Sequence, residues 1–136
     1  MTREDKELLL KDICARLPYN VKAYVRNWSN IDRRYYVGVY DVMSVFPSLN
    51  EVHVQSSSGS VDVLLEHYDY DIKPYLFPLS SMTEEQEKEY NNLNCYELGC
   101  FPHSEEALDY LTKNHFDYRC LIERGLAIDA TGLNIY

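Results

Sequence analysis

Four side chains in the second half of the chain are of the types that bind zinc. Thiolates and imidazoles suit a tetrahedral zinc ion. The candidates follow the spacing Cys-x4-Cys-x2-His-x11-His: Cys95, Cys100, His103 and His115. Because this spacing is irregular compared with paired zinc-finger knuckles, the pattern favours cysteines that pack in a loop and a histidine at a helix end. We therefore expect no metal and no cofactor, with a zinc site as the alternative.

A nucleophile and its base can be drawn from Cys120 and His115. A catalytic thiol needs such a base within hydrogen-bond reach, together with donors that stabilise the developing charge. Five residues apart in a helix, the two side chains would not face each other well, and no glycine loop or third orienting group is evident nearby. The residues favour a non-enzymatic protein, and a small hydrolase or zinc-dependent enzyme that uses the Cys/His cluster is the alternative.

Charge divides along the chain. Residues 1–40 carry eight Lys/Arg and five Asp/Glu, a net charge of +3, whereas residues 41–136 carry five and seventeen, a net charge of −12; together they give −9. An acidic surface repels phosphate backbones, so nucleic-acid binding is disfavoured. A sharper alternative is an acidic decoy that mimics DNA through the seventeen carboxylates after residue 40.

Tyrosine is abundant, with thirteen residues against four phenylalanines and one tryptophan. A tyrosine at a rim packs its ring and keeps its hydroxyl in water, which is why binding surfaces are rich in tyrosine. We therefore predict a protein partner of unknown identity, bound through Tyr-rich and acidic surfaces. The candidate binding residues come from a basic aromatic segment and from a proline-rich segment: Tyr24, Arg26, Trp28, Arg33, Arg34 and Tyr75. Nucleic-acid binding through the arginines is the weaker alternative.

The first half of the chain predicts one helix and four strands. Thr2 can cap a helix over residues 3–16, and Pro18 follows its end. Residues 21–28 alternate between apolar and polar types, as a half-buried strand does. Residues 35–46 predict a long strand with a possible bulge or close approach at Gly38. Residues 51–55 and 61–66 flank a serine-rich turn, so an antiparallel meander is expected.

Residues 71–85 join this half to a helical second half. Pro74 and Pro78 predict a non-helical segment, and Thr83 with Gln86 forms a capping box for a largely exposed helix over residues 84–94. A second helix is expected over residues 105–115 and a further short helix over residues 116–124. Gly125 stands where a left-handed residue ends a helix. The predicted fold is α+β, with an N-terminal helix, an antiparallel sheet of about four strands and two or three C-terminal helices.

Length and hydropathy limit the possible organisation and location. A chain of 136 residues suits a single domain, residues 1–136. No apolar run approaches the ~20 residues of a membrane span, and the first residues are polar, so we expect no membrane contact and a cytoplasmic location. Unprotected sheet edges can pair with each other, so a homodimer is a further possibility.

Three segments carry a resemblance to known sequences. They are DICARLPY within residues 11–19, IKPYLFPLSSMTEE at residues 72–85 and NHFDYRCLIERGLA at residues 114–127. Together they resemble a group of small uncharacterised proteins of gut anaerobes and of the phages and mobile elements of these bacteria. The resemblance implies an intact domain that works in a phage-associated setting, and it implies no particular reaction.

Overall fold

The computed structural model describes residues 1–93 and 105–136. The described chain contains three helices, α1 (Arg3–Arg16), α2 (Glu84–Leu93) and α3 (Glu105–Lys113). Its strands are β1 (Lys22–Ser29), β2 (Arg34–Phe46), β3 (Glu51–Ser56), β4 (Gly59–Leu64), β5 (Asp71–Pro78), β6 (Phe116–Asp117) and β7 (Ile128–Asp129). The α+β class and the N-terminal helix agree with the prediction. None of these helices combines the length and the apolar character needed to cross a bilayer.

The first helix forms where its capping signal predicts. The Thr2 hydroxyl accepts a hydrogen bond from the Asp5 amide at 3.1 Å, which satisfies one of the free N–H groups of the first turn. A 3₁₀ turn at Leu17–Tyr19 carries Pro18 after the last helical residue. Leu9 and Ile13 have no exposed surface, so they form the stripe that packs on the sheet.

The expected meander is present. Strands β1 to β4 pair antiparallel with their neighbours in chain order, and the serine-rich turn joins β3 to β4. The pairing of β2 with β3 shifts register between Val42 and Ser44, so the irregularity lies there rather than at Gly38. At Gly38 the backbone instead passes close to a ring, because an added Cβ would meet Tyr40 Cε2 at 3.3 Å.

The sheet is larger than the predicted four strands, and it is mixed. Its order is β4-β3-β2-β1-β5-β6, and β7 also pairs with β5. The first half of β5 runs antiparallel to β1, whereas its second half runs parallel to β6 and β7. The Phe77 amide donates to the His115 carbonyl at 2.8 Å, and the Ala130 amide donates to the Leu76 carbonyl at 2.8 Å. The proline-rich segment is therefore a central strand that joins both halves.

The predicted short helix over residues 116–124 is wrong, and the described chain has two C-terminal helices. Residues 116–117 form β6, and the Asp117 carboxylate accepts hydrogen bonds from the amides of Leu121 and Ile122 at 3.0 and 2.9 Å. His115 and Cys120 adopt positive φ angles of 63° and 59°, which interrupt helical geometry. Gly125 is left-handed at φ 74°, although it ends a turn rather than a helix.

The capping box of the second helix is present. The Thr83 amide donates to Gln86 Oε1 at 2.9 Å, and the Gln86 amide donates to the Thr83 hydroxyl at 3.2 Å. No residue of α2 is buried, which agrees with the predicted exposed helix.

Helix α1 covers one face of the sheet, and a buried ion pair connects this helix to the C-terminal segment. Apolar residues from α1 and from β1 to β5 form one core cluster. Asp12 and Arg16 have no exposed surface, and Arg16 Nε donates to the Asp12 carboxylate at 2.8 Å. Arg16 Nη2 also donates to the Phe116 carbonyl at 2.7 Å, and Arg119 Nη1 donates to Asp12 at 2.8 Å. These bonds fix β6 and the following turn against α1.

Candidate binding surface

In the part of the chain that the structure describes, no helix covers the sheet face opposite α1. Side chains alternate between the two faces of a strand, so the neighbours of the buried residues Ala23, Val25 and Ile72 point away from α1. We call this surface the uncovered face. Its residues on the three central strands are Lys22, Tyr24, Arg26, Trp28, Tyr35, Val37, Val39, Asp41, Met43, Asp71 and Lys73.

Three apolar residues of β2, with Asp41 between the second and the third, form an exposed strip on the uncovered face. Val37, Val39 and Met43 expose 62%, 43% and 52% of their surface. Strand β1 places Arg26 opposite Val37 and Tyr24 opposite Val39. Since single exposed apolar residues are common, it is the row along one strand that marks this face as a candidate interface.

An aromatic cluster lies at one end of the uncovered face. The rings of Trp28 and Tyr35 meet edge to face with centroids 4.9 Å apart. The Arg26 guanidinium lies 4.8 Å from the Tyr35 centroid, a cation–π geometry, and its Nη2 donates to the Tyr68 carbonyl at 3.3 Å. Trp28 Nε1 donates to Asn30 at 3.1 Å. These contacts hold the rings in place beside a cleft of about 410 Å³.

The uncovered face has little net charge, although the molecule is strongly acidic. On the three central strands Lys22, Arg26 and Lys73 are the cations and Asp41 and Asp71 are the anions, so these strands contribute +1 while the chain carries −9. Glu51 on β3 and Asp62 on β4 lie at outward positions of the same face and bring its sum to −1. Lys22 Nζ lies 3.5 Å from the Asp41 carboxylate, and Arg26 stands opposite Asp71 in the β1–β5 pairing. The face is therefore a nearly neutral region of an acidic protein, and its cations lie on β1 and β5.

The structure brings together four of the six binding residues proposed from sequence. Tyr24, Arg26 and Trp28 occupy successive outward positions of β1. Tyr75 lies near Tyr24, since burial first and then Tyr24 raise the pKa of the Tyr75 hydroxyl. Tyr75 itself is only 7% exposed, so it supports the face rather than presenting its ring.

The two remaining arginines do not join the uncovered face. Arg33 is exposed in the β1–β2 turn with a positive φ of 53°. Arg34 Nη2 donates to the Tyr36 hydroxyl at 2.9 Å, and Tyr36 donates to Asp32. Positions 34 and 36 alternate with the outward positions 35 and 37, so this chain of contacts belongs to the other side of the sheet.

Sequence reasoning did not name the apolar and aromatic residues that β2 contributes to the uncovered face: Tyr35, Val37, Val39 and Met43. All four lie on β2 and expose between 43% and 62% of their surface. Their alternation with Tyr36, Gly38 and Tyr40 is visible in the sequence. The outward side became evident only from the register with β1, because both sets contain apolar or aromatic residues.

Of the proposed zinc ligands, only His115 lies within the described residues. Cys95, Cys100 and His103 fall in residues 94–104, outside the described ranges. His115 is 9% exposed, and its ring stacks on Tyr136 with centroids 3.7 Å apart. Within residues 1–93 and 105–136, no group of three or more His, Cys, Asp or Glu side chains is placed to hold a metal.

The proposed nucleophile and base are not assembled. Cys120 is exposed, whereas His115 is buried at the end of α3. Burial, followed by the charge of Arg16, lowers the pKa of His115 to about 4. At neutral pH this histidine is uncharged, and Asp117, the nearby carboxylate, is occupied by the Leu121 and Ile122 amides. This arrangement orients neither side chain for attack on a substrate.

No protein-family model, curated protein or solved structure matches the chain. Function is therefore inferred from the surfaces of the molecule and from the chemistry of their side chains.

Proposed function

We propose that this protein is a protein-binding module and that it holds its partner on the uncovered face of its sheet. The observation that carries this proposal is the exposed row of Val37, Val39 and Met43, which continues into the Trp28–Tyr35 cluster. Removal of such apolar surface from water is favourable, by roughly 25 cal/mol per Å². A second protein surface would remove it.

The residue types of the aromatic cluster support this proposal. Trp, Tyr and Arg are enriched among the residues that dominate the binding energy of interfaces. The rings of Trp and Tyr bury large areas with few rotatable bonds. Here Arg26, Trp28 and Tyr35 restrain one another by cation–π and ring contacts. Less side-chain entropy is then lost on binding.

The charge of the face indicates the chemistry of the partner. Lys22, Arg26 and Lys73 lie on β1 and β5, to one side of the exposed apolar residues of β2, on a molecule of net charge −9. A partner with an apolar patch that is bordered by carboxylates would complement the strip and its cations. The sequence resemblance adds a phage or mobile-element setting, so a protein of a gut bacterium or of its phage is the proposed partner class.

Two substitutions with matched exposure test the proposal. Val37 is 62% exposed on the uncovered face, and Leu49 is 64% exposed on a 3₁₀ turn outside this face. Arg26 stands opposite position 37, so Val37→Glu keeps a favourable cross-strand pair while it removes apolar contact. Pull-down from a lysate of a gut anaerobe should retain a partner with wild type and with Leu49→Glu, and lose at least about 90% of it with Val37→Glu, a tenfold effect of about 1.4 kcal/mol.

Circular dichroism of both variants provides the control for folding. Equal retention of the partner by Val37→Glu and wild type would contradict binding at the uncovered face. If only Leu49→Glu lost the partner, the interface would lie on the α1 side of the molecule instead, and the proposal would be contradicted.

A further inference from the structure

A groove of about 350 Å³ lies between the first turn of α2, the segment that follows α3 and the C-terminal residues. Its lining contains aromatic rings, amides and hydroxyls: Phe77, Ser81, Gln86, Asn114, His115, Phe116, Thr131, Gly132 and Tyr136. Small-molecule sites span roughly 300–1,000 Å³ and combine apolar walls with a few polar groups. The groove is at the lower end of this range.

His115 is held in an unusual state at this groove. Its backbone is left-handed at φ 63°, a conformation that costs free energy in a residue other than glycine. Only 9% of the surface of His115 is exposed, and Nδ1 has no hydrogen-bond partner within the described residues. Strained and incompletely paired residues of this kind cluster at ligand sites.

His115 is neutral at this groove, because burial first and then the charge of Arg16 lower the pKa of its imidazole to about 4. Nδ1 is enclosed without a partner in the described chain, so Nε2 is the ring nitrogen left to meet a ligand. A neutral imidazole donates from one nitrogen and accepts at the other, so Nε2 can serve a ligand in either role, depending on the tautomer.

Among the described residues, hydrogen bonds within the lining leave one amide donor and one amide acceptor for a ligand. Gln86 Oε1 accepts from the Thr83 amide at 2.9 Å, so the Gln86 NH₂ group can donate to a ligand. Asn114 Nδ2 donates to the Tyr110 carbonyl at 2.9 Å, so the Asn114 oxygen can accept. Within residues 1–93 and 105–136, no Lys, Arg, Asp or Glu lines the groove, so these residues offer an ionised ligand no counter-charge to offset the loss of its water.

We propose that this groove binds an uncharged, planar heteroaromatic ring whose edge both donates and accepts hydrogen bonds, as a nucleobase or a carboxamide-bearing pyridine does. The rings of Phe77, Phe116 and Tyr136 supply its walls, with Phe77 centroids 6.2 and 6.0 Å from those of Phe116 and Tyr136. The Gln86 and Asn114 amides and His115 Nε2 read its edge. This site is independent of the uncovered face and of any protein partner.

NMR titration of the ¹⁵N,¹³C-labelled full chain tests the proposal with adenine, nicotinamide and nicotinate as probes. Nicotinate has the ring of nicotinamide with a carboxylate in place of the amide. Adenine or nicotinamide should shift the His115 ring and Asn114 side-chain signals with a Kd at or below about 1 mM, and nicotinate should bind at least about tenfold more weakly.

Variants at the rim complete the test. Thr131 lines the groove and is exposed, so Thr131→Trp should fill the space and abolish the shifts, whereas Ser58→Trp in the β3–β4 turn should leave them unchanged. Asn114→Leu removes the free acceptor and should weaken binding about tenfold, a loss typical of a hydrogen bond in a closed site. Absence of shifts with both neutral probes would overturn the proposal. Nicotinate binding equal to that of nicotinamide, or shifts that survive Thr131→Trp, would also overturn it.

Discussion

At the scale of single residues, the buried Asp12–Arg16 pair is the most sensitive point of the molecule. Asp12 accepts hydrogen bonds from Arg16 and from Arg119, and neither Asp12 nor Arg16 has exposed surface. A buried ion pair adds little net stability over apolar residues of similar volume, but removal of one partner leaves the other charge buried without a counter-charge. Substitution of Asp12 alone should therefore cost more stability than substitution of both residues.

Asp12→Ala should lower the free energy of unfolding by about 3–5 kcal/mol, because Arg16 would remain buried without its counter-charge. The double variant Asp12→Leu/Arg16→Met should lose less than the single variant. Urea unfolding midpoints provide the comparison. Glu7→Ala is the control, because it removes an exposed ion pair with Arg3 and should change stability by under about 1 kcal/mol. A double variant less stable than Asp12→Ala would show that the charges themselves hold the fold.

The hydroxyl of Tyr136 takes the place of a backbone hydrogen bond that is missing between β1 and β5. Lys22 and Tyr75 would be the next pair of the β1–β5 ladder after Ala23 and Pro74. The Lys22 amide instead donates to the Tyr136 hydroxyl at 2.9 Å, and this hydroxyl donates to the Tyr75 carbonyl at 2.8 Å. Tyr136 thereby closes the gap where β5 turns away from β1.

Tyr136→Phe should destabilise the protein by about 1–3 kcal/mol, since it leaves a backbone donor and a backbone acceptor without partners. Thermal or urea unfolding measures the change. Tyr68→Phe is the matched control because Tyr68 is 80% exposed, and it should alter stability by less than about 0.5 kcal/mol. Equal stability of Tyr136→Phe and wild type would mean that water replaces the hydroxyl without cost.

Titration of His115 should make stability depend on pH in acid. Burial and then the charge of Arg16 lower the pKa of His115 in the folded protein to about 4, from the 6.5 of an unperturbed histidine in the unfolded chain. Between these values the unfolded state binds the additional proton, so stability falls as pH decreases from about 6.5 to about 4, by the order of 2 kcal/mol. Urea unfolding at several pH values measures this slope.

His115→Asn should flatten the slope, since asparagine tolerates the left-handed backbone and does not titrate. His53→Asn should keep it, because His53 lies on the sheet, paired with Asp62 at 2.6 Å. A slope that persists in His115→Asn would assign the acid sensitivity to other groups.

At the scale of elements, helix caps and strand alternation in the sequence correctly predicted the helices and strands that form through local interactions. Thr2 and the Thr83–Gln86 box cap their helices as expected, and the alternation of Val21, Ala23 and Val25 identified the first strand. The uncovered face was foreseen in part, since Tyr24, Arg26 and Trp28 belong to the same alternating segment. These features depend on residues within one turn or one strand.

The elements that sequence reasoning missed depend on distant partners. Pro74 and Pro78 correctly indicated that the segment is not a helix. They did not indicate a central strand, because prolines lack the N–H donors that the hydrogen bonds of a central strand normally need. The strand is stable since Phe77 and Leu76 bond to His115 and Ala130, roughly forty to fifty residues later in the chain. The left-handed His115 and Cys120 were equally hidden, because neither is a glycine or an asparagine.

The capping box of α2 should control that helix alone. Thr83→Ala removes one cap hydrogen bond, which is typically worth about 1 kcal/mol of helix stability. Because α2 buries no residue, the loss should increase amide exchange within residues 84–93 and change the global unfolding midpoint little. Thr2→Ala at the buried α1 is the contrasting control and should lower the global midpoint. The opposite ranking would show that α2 is part of the main cooperative unit.

At the scale of the whole molecule, the two faces of the sheet differ in whether a helix covers them and in their charge. Helix α1 covers one side of the sheet, and the opposite side combines exposed apolar residues with cations on a chain of net charge −9. A net charge of this size favours solubility, and an exposed apolar region can still bind a second protein. The proposed function depends on that region being the site of contact.

Site-specific photo-crosslinking tests this claim most directly. The photoreactive residue p-benzoylphenylalanine would replace Val39 on the uncovered face or, as a control, Leu133 in the C-terminal segment; these residues are 43% and 50% exposed. After irradiation in a lysate from which the wild-type protein retains a partner, we predict a covalent adduct through position 39 and none through position 133. Adducts through position 133 alone, or none through position 39 while the partner is still retained, would contradict the account.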